Sequence, residues 1–519
     1  MPALVLVLGL LVAAATLYEV ARRIGVPYPT VLVLGGVILA IVPGLPSVAL
    51  EPDLVLLVFL PPLLFAAAFE TPQRELRANV APLLRLAVGL VLLTIVAVAV
   101  VTQAIVPGLG WAAAFAVGAI VAPTDALAAT AVFRRIGVPR IVTTLVEGES
   151  LFNDATALVA YRAAVAVVIS GAFVPAEALL RFPLAAVGGI AIGYAVGRAA
   201  CIVLRRLDDP PVEVAVSLVI PFLAYLPADA LGLSGVLAAV TTGLVVGRRL
   251  GSVLSPNSRV LWLTTWKMIR FVLDGSLFLL LGLQLREIVE GLDGHSPATV
   301  VGLIVAVSAV VVVTRLLWVF ASSLLPNSPR RRIAQRDPRL ATRLTFVVAW
   351  AGLRGAVSLA AALALPPSFP ERNLVLVITF GVILVTLVGQ GLSLPWVVRH
   401  TGWDGVEFDG NELAVARAAA YEAGLQEIAR ARPLWPTHQP LFDRVEASLR
   451  DQVQHLATED PAETEERRQE RLEHEEIQRG IINAQRVAVT ELRDAGAIND
   501  LTLREVERDL DLEELRAEA

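Results

Sequence analysis

The stretch VEGESLFNDATALV, residues 146–159, sets Glu147, Glu149, Ser150, Asn153 and Asp154 within about two turns of helix inside an otherwise apolar run. Such oxygen donors can take up a proton or hold a cation. Two further apolar stretches carry chemistry of the same kind. AIVAPTDALAAT holds Pro123, Thr124 and Asp125, and WAGLRGAVSLAAALALP holds Gly352, Arg354 and Gly355. What these groups do depends on the medium around them.

That medium is hydrocarbon. The chain has 519 residues, 56% hydrophobic and 18% charged, with a mean hydropathy of +0.69. Soluble domains carry about 25% charged residues, and here the charges crowd into the part after Gly402. Before it, apolar runs of roughly 18–25 residues recur, the length of a bilayer-crossing helix. The single cysteine, Cys201, excludes an intrachain disulfide, and the five histidines lie outside the apolar runs or at their ends. No HExxH or Cys/His zinc pattern occurs, which argues against a metalloenzyme. The first apolar run has its arginines after it, so a first spanning helix is expected rather than a cleaved leader.

Apolar runs fall near 3–21, 28–45, 53–69, 80–106, 111–133, 141–169, 183–204, 211–228, 232–248, 259–285, 297–325, 341–365 and 372–398, about thirteen spans. Odd-numbered loops carry Arg22 and Arg23, Arg74 and Arg77, Arg134, Arg135 and Arg140, Arg205 and Arg206, Arg248 and Arg249, and Arg330 to Arg332; even-numbered loops such as 107–110 and 227–230 are nearly free of them. Basic loops stay cytoplasmic, which places the N-terminus outside and the tail in the cytosol. The expected organisation is an all-α polytopic transmembrane domain over 1–400 and a helical cytosolic tail over 401–519. Within the first, a core of about 80–170 and 297–399 faces a scaffold or dimerisation part of about 1–70 and 183–285.

Asp125, Asp154 and Arg354 each lie about thirteen or fourteen residues into their runs, about 20 Å from the end and close to mid-membrane. A common depth suits one shared site, and an ionisable group there is a functional candidate. Pro123 removes a backbone donor and predicts a break near Thr124; Gly352 and Gly355 loosen the twelfth span in the same way. Spans four to six and eleven to thirteen then form two triplets with an interrupted middle helix. Their offset by an odd number of spans makes them inverted repeats, a transporter pattern in which exposed carbonyls coordinate cations. Ser150 and Asp154, four apart, share a face with Asn153 beside them. Glu149 points about 140° away from Asp154. The expectation is that Glu149 pairs with Arg354 as scaffold, while Asp154 faces the ion.

GESLFNDATALV, VAPTDALAATAVF, FLPPLLFAAAFET, LGLSGVLAAVTTGL and WAGLRGAVSLAAALALP together resemble the motifs of monovalent cation:proton antiporters, in the electroneutral sodium/proton exchanger branch, over about residues 1–400. The tail stretch NAQRVAVTELRDAGAINDLTLREVERDLDLEE resembles bacterial members. The resemblance implies that Asp154 binds ion or proton, that Asn153, Ser150, Thr124 and Asp125 complete or support the site, with Asp154, Ser150 and Thr124 holding Na+, and that Glu149 and Arg354 pair. It also implies a homodimer whose core moves like an elevator, and a role in pH homeostasis. Two departures stand out. Ala66 stands where many relatives have an acid, and Asp229 and Asp274 stand where relatives often have Glu and Asn.

The resulting expectation is a secondary antiporter in the cytoplasmic membrane, exchanging Na+ for H+ on one buried aspartate, with K+/H+ exchange as the alternative. Its partners are monovalent cations, protons and membrane lipid, with no nucleic acid and no resident cofactor. Bland alternatives stand beside each residue. Thr124 and Ser150 can simply bond helix to helix. Arg315, in VVVTRLLWVF, either snorkels or pairs with a buried acid such as Asp274. Asp229 and Asp274 either line a funnel or are structural, and Glu147 either lines an entry path or caps a break. A cation channel fits poorly, since the charges gather in one internal site. An intramembrane protease using Asp125 and Asp154 would have its shared proton disturbed by Arg354.

Overall fold

In hydrocarbon each backbone N–H and C=O must be bonded within its own segment, so the apolar runs become helices. In the computed structural model, which describes residues 2–42, 55–171, 175–290, 296–335, 337–401, 410–457, 465–495 and parts of 502–510, no strand occurs among the described residues. Seven of the described helices are long and apolar enough to cross a membrane: Val80–Ile105, Arg140–Ser170, Pro183–Leu204, Pro210–Ala230, Gly235–Val253, Pro297–Ser323 and Arg372–His400. Shorter apolar helices run over Tyr28–Ile41, Leu57–Glu70 and Trp111–Val121, and Pro2–Ile24 and Pro256–Leu283 are helical as well.

The chain divides into two compact units, Met1–Val406 and Glu407–Ala519. The first holds all the apolar helices named above. The second holds the helices Gly410–Ala431, Gln439–Ala457 and Glu465–Asp494. The boundary expected at residue 401 adjoins 402–409, which lie outside the described residues.

Helix starts have local causes. Ser255, Ser296 and Asp337 each precede a proline and accept the backbone N–H three residues on, from Ser258 at 3.2 Å, Thr299 at 3.2 Å and Leu340 at 3.1 Å. The side-chain oxygen takes an orphan donor, and the proline fits the first turn, where no N–H is needed.

Two triplets organise the membrane unit. Val80–Ile105, a broken helix and Arg140–Ser170 form one; Pro297–Ser323, a second broken helix and Arg372–His400 form the other. The first broken helix is Trp111–Val121 followed by Leu127–Ile136, with residues 122–126 non-helical. The second is Pro338–Trp350 followed by Ala356–Leu363, with 351–355 non-helical. The interruptions read from Pro123 and from Gly352 and Gly355 fall in these segments. The leading helices of the two triplets pack together, and Trp318 Nε1 donates to the Arg85 carbonyl at 2.9 Å.

Outside the triplets, the Tyr28–Ile41 helix crosses Pro256–Leu283 almost backbone to backbone. A Cβ on Gly36 would lie 2.3 Å from the Leu279 carbonyl oxygen, and one on Gly282 would lie 2.3 Å from that of Val33. Between membrane helices, where water drives nothing together, such small-residue crossings let backbones approach. Gly282→Leu should therefore push the helices apart at a cost of about 1–3 kcal/mol or more. The expected result is a lower melting temperature of the purified protein in detergent; unchanged melting would contradict the close crossing.

Candidate cation and proton site

The two breaks meet. Asp125 N donates to the Leu353 carbonyl at 2.8 Å, joining one non-helical segment to the other. The approach is so close that a Cβ on Gly355 would lie 2.1 Å from Asp125 Oδ2, so only glycine fits there. On the far side, Arg354 N donates to Thr386 Oγ1 at 3.1 Å, within the wide turn Val385–Gln390 of the Arg372–His400 helix. Wide turns of this kind tend to occur where a helix serves a site.

Each break exposes helix ends that need partners. At the start of Leu127–Ile136, Leu127 N donates to Asp125 Oδ1 at 2.9 Å and Ala126 N to Ser150 Oγ at 3.3 Å. At the end of Trp111–Val121, the Val121 carbonyl accepts from Arg354 Nε at 3.1 Å. At the end of Pro338–Trp350, Arg315 Nε donates to the Ala349 carbonyl at 3.1 Å and Arg315 Nη2 to that of Val348 at 3.0 Å. A guanidinium thus sits at the negative end of each leading half-helix.

This overturns the expected Glu149–Arg354 pair. Glu149 is held by Arg315 instead, through Nη1 to Oε1 and through Nη2 to Oε2 at 2.9 Å, with both residues 1% exposed. Arg315 therefore neither snorkels nor pairs with Asp274. Arg354, also 1% exposed, spends its side chain on the carbonyls of Val121 and Gly352, and its Nη2 has no hydrogen-bond partner. The reason is physical: helix-end carbonyls carry partial negative charge, so a carboxylate was not Arg354's only possible counter-charge.

Glu149 also accepts from Thr124 Oγ1 at 3.0 Å, and Thr124 Oγ1 accepts from Asn153 Nδ2 at 2.7 Å. Asn153 Nδ2 reaches the Thr124 carbonyl at 3.3 Å as well. Asn153, Thr124, Glu149 and Arg315 form one chain that fixes the first break against Arg140–Ser170.

A cavity of about 140 Å³ opens beside the crossing. Thr124, Asp125, Ser150 and Asp154 line it; Asn153 and Glu149 do not. Asp154 is 6% exposed, and no hydrogen bond or ion pair joins it to another described residue. Its helical separation from Glu149 turns the two carboxylates to different surroundings.

The remaining candidates divide. Glu147 lines the cavity, paired at 3.5 Å with Arg134. Asp274 lines it too. Asp229 does not, and forms an ion pair with Arg162. Ala66 packs in the aromatic cluster of Phe65, Phe69, Trp262 and Trp266. A carboxylate nonetheless reaches the cavity from the same helix, one turn on: Glu70, bound to Arg270 at 2.8 Å. Glu70 and Arg270 were not among the expected site residues. The signal available was the Arg270–Asp274 spacing of four, which puts both on one helix face.

Over residues 8–400 the chain matches the family model described as sodium/hydrogen exchanger, transmembrane, and it belongs to that family. It is 35% identical to an uncharacterised Na+/H+ exchanger of Mycobacterium tuberculosis (strain ATCC 25618 / H37Rv), covering 99% of this chain and 96% of that one. It is 33% identical to the low-affinity Na+/H+ antiporter NhaS1 of Synechocystis sp. over 82% of this chain and 78% of that protein. Its fold matches the structure of the sodium proton antiporter MjNhaP1 from Methanocaldococcus jannaschii at pH 8, with a TM-score of 0.61 and 20% identity, over 78% of this chain and all of the other. The protein is a multi-pass membrane protein, and these relatives are transporters by name.

Arg315→Ala strands Glu149 in a buried place and should destabilise the protein by about 3–5 kcal/mol, read as a fall in melting temperature. In a double-mutant cycle, Glu149→Gln should couple strongly to Arg315→Ala and weakly to Arg354→Ala. The reverse ranking would restore the Glu149–Arg354 pair.

Proposed function

We propose that the protein exchanges Na+ for H+ across the cytoplasmic membrane, one for one, with Asp154 as the group that holds either. One observation carries this reading. Asp154 is buried beside Asp125 at the cavity with no basic partner, whereas the nearby Glu149 is fully engaged. A lone carboxylate at such a depth is costly while charged, so a proton or a cation must cover it, and each excludes the other.

The surroundings suit a small hard cation. Ser150 and Thr124 offer oxygens to the same cavity, and unwound backbone between half-helices is where transporters coordinate Na+. Charge counting supports a one-for-one cycle. At the crossing the formal charges of Arg315, Arg354, Glu149, Asp125 and Asp154 sum to one negative charge, which one proton or one Na+ cancels. Either neutral form can cross an apolar barrier; the empty, charged form resists it.

In this reading the thirteen apolar helical segments all cross the bilayer, the N-terminus is outside, and the cavity opens to the cytosol at its Glu70, Glu147, Arg134 and Arg270 mouth. Na+ and H+ are cargo, and no resident cofactor takes part. The chain works as a homodimer through its 183–285 part, where Leu184, Val187, Ile190 and Tyr194 lie uncovered. A single-protomer mass in mild detergent would remove that assembly from the scheme.

Asp154→Asn should abolish Na+-dependent proton movement in proteoliposomes, read with a pH dye, while melting and chromatographic profile stay as in the unaltered protein. Sustained Na+-driven dye response in the variant defeats the assignment. Clamping the membrane potential should leave the rate of the unaltered protein unchanged, and a rate that follows the potential defeats the one-for-one count.

A further inference from the structure

At the cavity mouth lies a second group of charges that the exchange at Asp154 does not use. Asp274 sits on Pro256–Leu283, is 1% exposed and lines the same cavity as Asp125 and Asp154. One of its oxygens, Oδ1, has no hydrogen-bond partner. The other faces Arg270 Nε, one turn away on the same helix, at 3.6 Å. Arg270 places its short contact elsewhere, on Glu70 at 2.8 Å. The side chains of Glu70 and Arg270 are 25% and 22% exposed, so exposure falls from Glu70 and Arg270 at the mouth to Asp274 inside it. The charged groups acting on Asp274 are Arg270 on its own helix, and Glu70 and Asp125 from across the cavity. Arg270 in turn feels Asp274, Glu70, Tyr28 and Glu147.

A purely structural ion pair looks different. The Glu149–Arg315 pair of the same protein is bidentate, with its remaining donors taken by carbonyls and its acceptor shared with Thr124. A buried carboxylate is stable only when its acceptors are used, and Asp274, a residue of the cavity lining, leaves one buried oxygen without a partner. The count of charges is also incomplete. Glu70 and Asp274 face a single guanidinium, which leaves one negative charge, the complement of one monovalent cation.

We propose that Asp274, with Glu70, forms a second cation-binding station between the cavity mouth and the Asp125–Asp154 site, with Arg270 as a built-in competitor that an entering Na+ displaces. The proposal rests on the exchange reading for its role in transport, but Na+ binding at the station can be measured without any exchange. The cation meets Asp274 Oδ1 and the Glu70 carboxylate first, sheds part of its water there, and passes on to Asp154. Removing the station's charge weakens loading at low Na+ and leaves turnover at saturating Na+ intact. Removing the competitor acts in the opposite direction.

The full chain in proteoliposomes tests this. D274N should raise the Na+ concentration for half-maximal exchange about fivefold or more while retaining the maximal rate, and R270Q should lower it. The double variant R270Q/D274N should lose the gain seen in R270Q. In detergent, D154N should keep a Na+-dependent rise in melting temperature that D154N/D274N lacks. Half-saturation within twofold of the unaltered protein in both D274N and R270Q, shifts of the same sign, or loss of the maximal rate in folded D274N would each overturn the station. If D274N does not fold, R270Q, which keeps both carboxylates, decides alone by the direction of its shift. Exchange persisting in D154N would instead defeat the assignment of Asp154, and the melting comparison would still judge Asp274.

Discussion

Two five-residue stretches of non-helical backbone, 122–126 and 351–355, cross inside an apolar bundle. In such a medium each unbonded carbonyl or amide costs several kcal/mol. The structure answers with Arg354 on the end of Trp111–Val121 and Arg315 on the end of Pro338–Trp350. Asp125 and Ser150 take the amides at the start of Leu127–Ile136. Arg354 of the second triplet caps the Trp111–Val121 helix of the first, while Arg315 caps a helix of its own triplet and ties it to the first through Glu149. The charges that satisfy these helix ends set the electrostatics of the site.

That setting explains why two carboxylates on one helix have such different surroundings. Glu149 must offset Arg315, and it receives two guanidinium bonds and a hydroxyl. Asp154, five residues on and turned away, receives none and faces the cavity. Arg354 stays bonded to carbonyls rather than to an acid. Moving Arg354 onto Glu149 would leave the Val121 end uncapped. The observed pairing satisfies the helix ends and the carboxylate together.

Helix positions and both breaks were legible in the sequence because their causes are local: long apolar runs, Pro123, and the glycines around Arg354. Position along a helix was local as well, since residues can be counted, and Asp125 and Asp154, placed at matching positions, line one cavity. The Glu149 partner was not legible. Arg315 lies 166 residues away, and nothing along the chain ranks it above Arg354 once carbonyl ends are overlooked as counter-charges. Asn153, expected at the ion, bonds Thr124 and is not part of the cavity lining. Ala66 seemed to mark a missing acid, but counting one more turn reaches Glu70. Register along a helix was readable, and partners across helices were not.

The cavity walls also divide by origin. Asp125 and Asp154 come from the triplet that carries the first break, and Gly355 and Ser358 come from the second. Glu70, Arg270 and Asp274 come from Leu57–Glu70 and Pro256–Leu283, outside both triplets. In the proposed exchange, movement of the triplets against the rest separates Asp154 from Asp274. A cation left at Asp274 would stay on its own side, and only one transferred to Asp154 would travel. The long 3.6 Å contact of Arg270 with Asp274 then has a use: once the cation has moved inward, Arg270 can close on the vacated carboxylate. Closure covers the charge of Asp274 and opposes the cation's return, with the unpaired negative charge left on Glu70 at the mouth.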